Sequence, residues 1–191
     1  MVRMVYIIHR WYGNSLSDWI PWLRQELESR GIVVVTPNMP NTNRPKISEW
    51  VTSMPSIPAW RYPETYFIGH SIGCQTVLRY LELLPEGCEV GGVVFVAPWT
   101  KLTNLEKGEP AIAKEWLATP IDWDEVRTHS RKFTAIFSDN DPYVPLENAK
   151  TFEENLGAKL VMEMKKGHFT EEDGITKLPA LLDEVLEIIN G

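Results

Sequence analysis

The sequence contains only two cysteines, Cys74 and Cys88, among its 191 residues. Two thiols are too few for the disulfide framework of a small secreted protein, and no C-x-x-C spacing indicates a zinc site. We therefore expect both cysteines to be buried free thiols in a reducing compartment.

Long hydrophobic runs are also absent. No stretch approaches the roughly 18 apolar residues that a membrane span requires. Residues 1–9 form a short apolar run without the basic region, the longer apolar segment and the small-residue cleavage site of a signal peptide. The sequence therefore predicts a cytoplasmic protein without a membrane partner.

Basic residues are outnumbered, with 19 Lys and Arg against 26 Asp and Glu and a net charge of −7. Binding to nucleic acid needs clustered Lys and Arg that neutralise phosphates, so nucleic acid is a poor partner for this chain. The 43% hydrophobic and 24% charged residues are close to ordinary globular usage. At about 150 residues per domain, we expect residues 1–191 to form a single domain.

Short apolar runs alternate with segments of helix length along the chain. Because parallel strands need long crossovers, this alternation predicts an α/β fold, a three-layer α/β/α sandwich. Ligands of such sheets lie outside the carboxyl ends of the strands, so the residues that follow each strand are the candidates for chemistry. The predicted strands are 2–8, 32–36, 65–68, 91–97, 133–138 and 159–164. A first helix is predicted to start at an S-x-x-D cap over 15–18, and further helices are predicted over 47–53, 71–84, 146–156 and 178–189.

Gly69-His70-Ser71-Ile72-Gly73 forms a G-x-S-x-G between a predicted strand and a predicted helix. This is the context of a nucleophile elbow, where only small residues on both sides allow a turn sharp enough to expose the serine. The backbone N–H of Ile72 would then lie at a helix N-terminus and point toward a developing oxyanion. Ser71 is therefore the candidate nucleophile.

A serine at its ordinary pKa is a weak nucleophile and needs a base. Of the four histidines, His168 alone follows the last predicted strand, in the turn 165–169. His9 ends the first strand beside a turn, His70 belongs to the elbow, and His129 precedes the fifth strand in a polar loop. His168 is the predicted base.

Two acids follow the fifth predicted strand, Asp139 and Asp141. Asp141 begins a D-x-x-V-P stretch in which prolines fix a tight turn, which favours it as the group that orients the base, with Asp139 as the alternative. A calcium loop starting at Asp139 is excluded, because its sixth and twelfth positions are Val144 and Lys150 instead of Gly and Glu. We predict no metal site.

The order Ser71, Asp141, His168 is the order of the α/β-hydrolase triad. Further motifs extend over nearly the whole chain: His9 at a strand end, Asp18-Trp19-x-x-Trp22-Leu23, Pro37-Asn38-x-Pro40-Asn41, Asp141-x-x-Val144-Pro145 and Gly167-His168-Phe169. Together they resemble small α/β-hydrolases of the retinoblastoma-binding protein 9 type, the family that includes the YdeN-like serine hydrolases. The resemblance implies six parallel strands in the order 2-1-3-4-5-6, a Ser-Asp-His triad, and hydrolysis of small esters or amides without a cofactor.

One position departs from this family, whose members usually carry glycine where this chain has Arg10 after His9. Glycine lets the backbone approach the substrate oxygen, so we assign the second oxyanion donor to the N–H of Trp11. Trp11 and Trp99 both follow strand ends, where they either form an acyl pocket or simply pack.

These observations favour a serine hydrolase acting on a small ester, thioester or amide through an acyl-enzyme. The alternative is a protein-binding module that kept the fold without the chemistry, since fold alone does not imply function. An acyltransferase or perhydrolase would share the same triad. Residues 98–131 are long enough for a small lid but too short for a cap domain, so we expect a minimal cap or none and a shallow pocket.

Overall fold

Six strands pair in parallel to form one sheet in the computed structural model, which describes residues 2–191 except for the side chains of residues 59–61. The strand order is β2-β1-β3-β4-β5-β6, as the family resemblance implied. The strands are β1 (Met4–Ile8), β2 (Val33–Val35), β3 (Thr65–His70), β4 (Gly92–Val96), β5 (Phe133–Ser138) and β6 (Lys159–Glu163).

Burial explains why the inner strands are continuous apolar runs. Every residue of β3, β4 and β5 is buried, because helices cover both faces of a parallel sheet. The edge strands β2 and β6 are partly exposed. All six predicted strands are confirmed, although β3 continues to His70, which pairs with Val96 of β4.

Two groups of helices enclose the sheet. The first group is α1 and α7, which contact each other, and in the second group α3 contacts α2 and α5 while α5 contacts α6. The predicted α/β fold is thereby confirmed. The helices are α1 (Ile20–Glu28), α2 (Ile47–Thr52), α3 (Ile72–Leu81), α4 (Glu109–Ala118), α5 (Trp123–Thr128), α6 (Glu147–Leu156) and α7 (Pro179–Asn190), with a 3₁₀ helix at Ala59–Glu64.

The start of α1 corrects the sequence prediction. The S-x-x-D pattern over 15–18 does not cap this helix, which begins at Ile20 with Trp19 at its N-cap and no side-chain cap bond. Asp18 instead has a positive φ of 60° and directs its carboxylate toward Arg10. The Asp18 carboxylate, which the pattern assigned to the N-terminus of the helix, thus forms an ion pair with Arg10 instead.

The connection from β4 to β5 contains two helices that the sequence analysis did not predict, α4 and α5. A local signal for α5 was present, because Asp122 accepts a hydrogen bond from the Glu125 backbone N–H at 3.0 Å. Trp116 of α4 packs edge-on against Trp50 of α2, with ring centroids 6.1 Å apart. This packing fixes α4 beside the carboxyl edge of the sheet.

Among residues 2–191, no helix is both long and apolar enough to cross a bilayer.

Candidate active site

Ser71 lies at the sharp turn between β3 and α3. Its backbone has φ 54° and ψ −114°, a conformation that is costly for a residue with a side chain. A Cβ on Gly69 would lie 2.5 Å from the Cys74 backbone nitrogen, and a Cβ on Gly73 would lie 2.2 Å from the Ile8 carbonyl oxygen. Close backbone contacts on both sides of Ser71 therefore require the two glycines of the motif.

The Ser71 hydroxyl accepts a hydrogen bond from the Trp99 indole Nε1 at 3.3 Å. Trp99 follows β4 and is buried, and its own backbone carbonyl accepts a hydrogen bond from the Gln75 amide on α3. The backbone of Trp99 is thus held by the helix that Ser71 precedes. Trp99 lines the cleft and contacts the candidate nucleophile directly.

His168 and Asp141 contact each other across two neighbouring strand ends. Nδ1 of His168 is 2.7 Å from Oδ2 of Asp141. The other carboxylate oxygen of Asp141 accepts the backbone N–H groups of Tyr143 and Val144 at 2.9 and 3.0 Å. These two bonds fix the carboxylate plane, and a neutral His168 that donates from Nδ1 keeps an acceptor lone pair on Nε2.

Asp139, the alternative acid, faces a different partner. Its Oδ1 accepts the backbone N–H of Lys165 at 2.5 Å, in the turn that follows β6. Between these two carboxylates, only Asp141 contacts His168. Asp139 therefore ties the β6 turn to the end of β5.

The turn that carries His168 has a second support that the sequence analysis missed. Oδ2 of Asp173 accepts the His168 backbone N–H at 2.8 Å, the Thr170 N–H at 3.2 Å and the Thr170 hydroxyl at 2.8 Å. Phe169 has a positive φ of 59°, which is strained for a residue with a side chain, so this turn needs such fixed partners. The signal in the sequence is the five-residue spacing between His168 and Asp173.

The other three histidines are engaged elsewhere. The ring of His9 accepts from the Met39 N–H at 3.0 Å and contacts the Arg10 carbonyl at 2.8 Å. His129 lies 2.7 Å from the Cys88 carbonyl, near the amino edge of the sheet. His70 is completely buried. Of the four rings, His168 is the one that lines the cleft with Ser71.

The cleft has a volume of about 300 Å³ and mixes aromatic, aliphatic and acidic groups. The segment between β4 and β5 contributes Leu102, Leu105 and Glu109 to its wall. Residues 98–131, which the sequence analysis considered long enough for a small lid, therefore contribute to the wall of the cleft. Trp11 also lines the cleft and stacks on Tyr12, with ring centroids 5.5 Å apart.

Two backbone amides near Ser71 have no acceptor among the described residues. Ile72 is the first residue of α3, so its N–H has no partner within the helix. Neither the Ile72 N–H nor the Trp11 N–H donates to another group in the part of the chain that the structure describes. An oxyanion donor must be free of such an acceptor, and the assignment of the Ile72 and Trp11 N–H groups to this role stays a prediction.

Arg10 directs its side chain toward two carboxylates, and its Nη1 also donates to the Trp11 carbonyl oxygen at 3.3 Å. Its Nε is 2.8 Å from Oδ2 of Asp18, and its Nη2 is 3.0 Å from Oε2 of Glu172. The departure from glycine therefore adds an ion-paired wall to the cleft, which Arg10 and Glu172 both line.

The two cysteines are free, and their burial differs from the prediction. Cys74 is completely buried under the elbow, where Sγ donates to the carbonyls of Gly69 and Val96, and burial raises the pKa of its thiol. Cys88 is only half-buried, because it lies in the turn after α3. Cys74 is a core thiol and not a second nucleophile.

The sequence of the chain matches known proteins over almost its full length. A family model described as serine hydrolase matches residues 5–187. YdeN of Bacillus subtilis is 30% identical over 184 residues, which cover 96% of this chain and 94% of that protein. The serine hydrolase RBBP9 of Rattus norvegicus is 26% identical over 162 residues, covering 84% of this chain and 78% of that protein.

The fold matches as well. The crystal structure of the B. subtilis YdeN product superposes with a TM-score of 0.88 at 27% identity, and all of both chains is covered. A carboxylesterase structure from the thaumarchaeon Nitrososphaera gargenis gives a TM-score of 0.69 at 16% identity, covering 99% of this chain and 91% of that one. At that identity the second likeness concerns the fold alone.

Proposed function

The chain belongs to the serine hydrolase family, and from this premise we propose that it cleaves small carboxylic esters, thioesters or amides through an acyl-enzyme on Ser71. One observation carries the proposal: the His168–Asp141 pair, with its 2.7 Å contact, shares a cleft with a serine held in a strained elbow. We assign Ser71, His168 and Asp141 the roles of nucleophile, base and orienting acid.

The first step is acylation. Nε2 of His168 takes the hydroxyl proton of Ser71 as Oγ attacks the substrate carbonyl carbon, and Asp141 stabilises the imidazolium that forms. The negative charge on the carbonyl oxygen is met by the N–H groups of Ile72 and Trp11. The imidazolium then gives its proton to the leaving alkoxide, thiolate or amine, and the carbonyl reforms as an acyl-Ser71 ester.

Deacylation repeats these steps with water as the nucleophile. His168 takes a proton from water, the hydroxide adds to the acyl carbon, and collapse of the intermediate releases the acid and returns the proton to Ser71. The cleft volume of about 300 Å³ lies at the small end of ligand pockets, which favours short acyl groups. No cofactor takes part in this scheme.

The direct test compares the wild-type protein with Ser71→Ala on p-nitrophenyl acetate and butyrate. We expect the variant to lose activity by at least about a thousandfold, because a triad acts as a unit. Full activity in the variant would refute the assignment. The binding-module alternative predicts a folded wild-type protein that forms no Ser71 adduct with a fluorophosphonate probe.

A further inference from the structure

We propose that Arg10, Asp18 and His70 form a positioning cluster that holds the loop 168–172, and with it the imidazole of His168. None of these three residues belongs to the proposed triad. The inference rests on the proposed function, since it assigns the cluster a role in presenting the base.

Asp18 is the centre of the cluster. Its side chain is completely buried, yet it carries a carboxylate that must be compensated. Arg10 compensates this charge in a bidentate ion pair, with Nε 2.8 Å from Oδ2 and Nη2 3.2 Å from Oδ1 of Asp18. Such planar pairs fix both partners in one geometry. Although burial opposes it, the Asp18 carboxylate raises the pKa of Arg10, so the guanidinium stays charged.

The pair is connected to the loop that carries the base. Oδ1 of Asp18 accepts the backbone N–H of Glu171 at 2.9 Å. Nη2 of Arg10 contacts the Glu172 carboxylate at 3.0 Å. Residues 10–18 precede α1, whereas residues 171 and 172 follow His168 by three and four positions. These contacts therefore join the two ends of the chain directly beside the cleft.

His70 makes the third connection. Nε2 of its buried ring lies 2.9 Å from the His168 carbonyl oxygen, whereas Nδ1 lies 3.6 Å from Oδ2 of Asp18, beyond hydrogen-bond distance, and has no hydrogen-bond partner among the described residues. A carbonyl only accepts, so Nε2 carries the hydrogen. Burial lowers the pKa of His70 well below its usual range, and the ring is neutral. The residue before the nucleophile thus holds the backbone of the base.

These contacts fix the His168 backbone on every side. Asp173 holds its N–H, His70 holds its carbonyl, and the Arg10–Asp18 pair holds the two residues that end the loop. The strained φ of Phe169 would relax if these contacts were lost. We infer that the cluster keeps Nε2 of His168 aimed at Ser71.

The experiment uses Arg10→Ala, Asp18→Asn, their double variant and Arg10→Lys in the full-length protein. We expect each charge-removing single variant to lower kcat about tenfold or more, since small displacements of a catalytic group are costly, with KM changed less. Because either substitution already breaks the Arg10–Asp18 pair, the double variant should lose no more kcat than the more impaired single variant. The kcat of Arg10→Lys should lie between that of Arg10→Ala and that of the wild type.

Two further readouts separate positioning from general destabilisation. Millimolar guanidinium should restore part of kcat to Arg10→Ala. Amide hydrogen exchange of residues 168–174 should become faster in Arg10→Ala and in Asp18→Asn, because the loop opens locally. The matched control is Lys159→Met, at the amino edge of the sheet, which removes the ion-pair partner of the mostly buried Glu184. This variant should have a lower Tm but no guanidinium rescue and no faster exchange of residues 168–174.

The outcomes are distinct. Wild-type kcat and wild-type exchange in both Arg10→Lys and the double variant would overturn the cluster's role, even if a single variant failed to fold. If the wild-type protein cleaved no ester and took no fluorophosphonate, the proposed function would fail. Exchange of residues 168–174 would still decide whether the cluster holds the loop.

Discussion

A Cβ placed on Gly73 would lie 2.2 Å from the carbonyl oxygen of Ile8, which means that the first turn of α3 touches the end of β1 backbone to backbone. No side chain can move aside there, because both contacting groups belong to the main chain. The elbow can therefore lie this close to the sheet only because residue 73 has no Cβ.

We predict that Gly73→Ala lowers the free energy of unfolding by about 3 kcal/mol or more, or prevents soluble expression. Denaturant unfolding of the purified protein measures the change. The control is Gly157→Ala, where nothing lies within 4 Å and only the positive φ of 61° opposes a side chain. That variant should lose about 1 kcal/mol, and equal losses in the two variants would contradict the close-contact argument.

The strain at Ser71 predicts a difference between two inactive variants. Ser71→Gly and Ser71→Ala both remove the hydroxyl, but only glycine adopts φ 54° and ψ −114° without cost. We expect the glycine variant to be more stable than the alanine variant by about 1 kcal/mol. Thermal unfolding of the two proteins side by side tests this, and a more stable alanine variant would mean that the elbow is not strained.

The two neighbouring acids give a matched pair. Asp141→Asn should reduce kcat/KM by about 10²-fold or more, because an amide can present the wrong hydrogen-bonding group to His168 Nδ1. Asp139→Asn keeps an oxygen that accepts the Lys165 N–H and should stay within about threefold of the wild type. Steady-state kinetics on one short-chain ester compares them, and the reverse pattern would assign the orienting role to Asp139.

Buried histidines make stability depend on pH. Burial lowers the pKa of His9 and lowers that of His70 further. Below about pH 6.5 the unfolded chain takes up protons that the folded chain does not, so the free energy of unfolding should fall by up to about 1.4 kcal/mol per pH unit for each histidine. Denaturant unfolding between pH 7.5 and 5.5 measures the slope. His9→Gln should make it shallower, and an unchanged slope would exclude His9 as a cause.

The wall between the cleft and a neighbouring groove predicts a change in acyl specificity. Tyr12 and Glu109 line both the cleft and a groove of about 540 Å³. Tyr12→Ala should join the two spaces and raise the kcat/KM ratio of p-nitrophenyl octanoate to acetate about tenfold, since a few buried methylenes are worth that much. Tyr12→Phe keeps the ring and should leave the ratio unchanged. Equal ratios in Tyr12→Ala and the wild type would show that the wall does not limit chain length.

Most of the sheet could be predicted from the sequence because its strands obey local rules. β3, β4 and β5 are apolar at nearly every position, as burial on both faces requires. The chemistry-bearing residues could be found for the same reason, since parallel strands bring their carboxyl ends to one edge. The comparisons with known proteins support the family and the fold, whereas the individual site roles stay predictions.

What the sequence could not reveal are pairings between distant segments. Asp18 fits a helix cap by local pattern, but Arg10 and Glu171 take its carboxylate through contacts that exist only in the folded chain. Asp173 likewise acts across a strained turn that propensity does not encode. α4 and α5 were not predicted, because α4 buries only Ala113 and Trp116 and α5 buries only Val126, so neither helix has a clear apolar stripe in the sequence.

The unequal burial of the two thiols has a practical consequence. Cys74 is completely buried beneath the elbow, and burial raises the pKa of its thiol, so alkylating reagents should not modify it in the folded protein. Cys88 precedes β4 and lies near the amino edge of the sheet, whereas Ser71 lies at the carboxyl edge. A maleimide fluorophore or spin label should therefore attach at one natural position, at the edge of the sheet opposite to Ser71, where it leaves the cleft unobstructed.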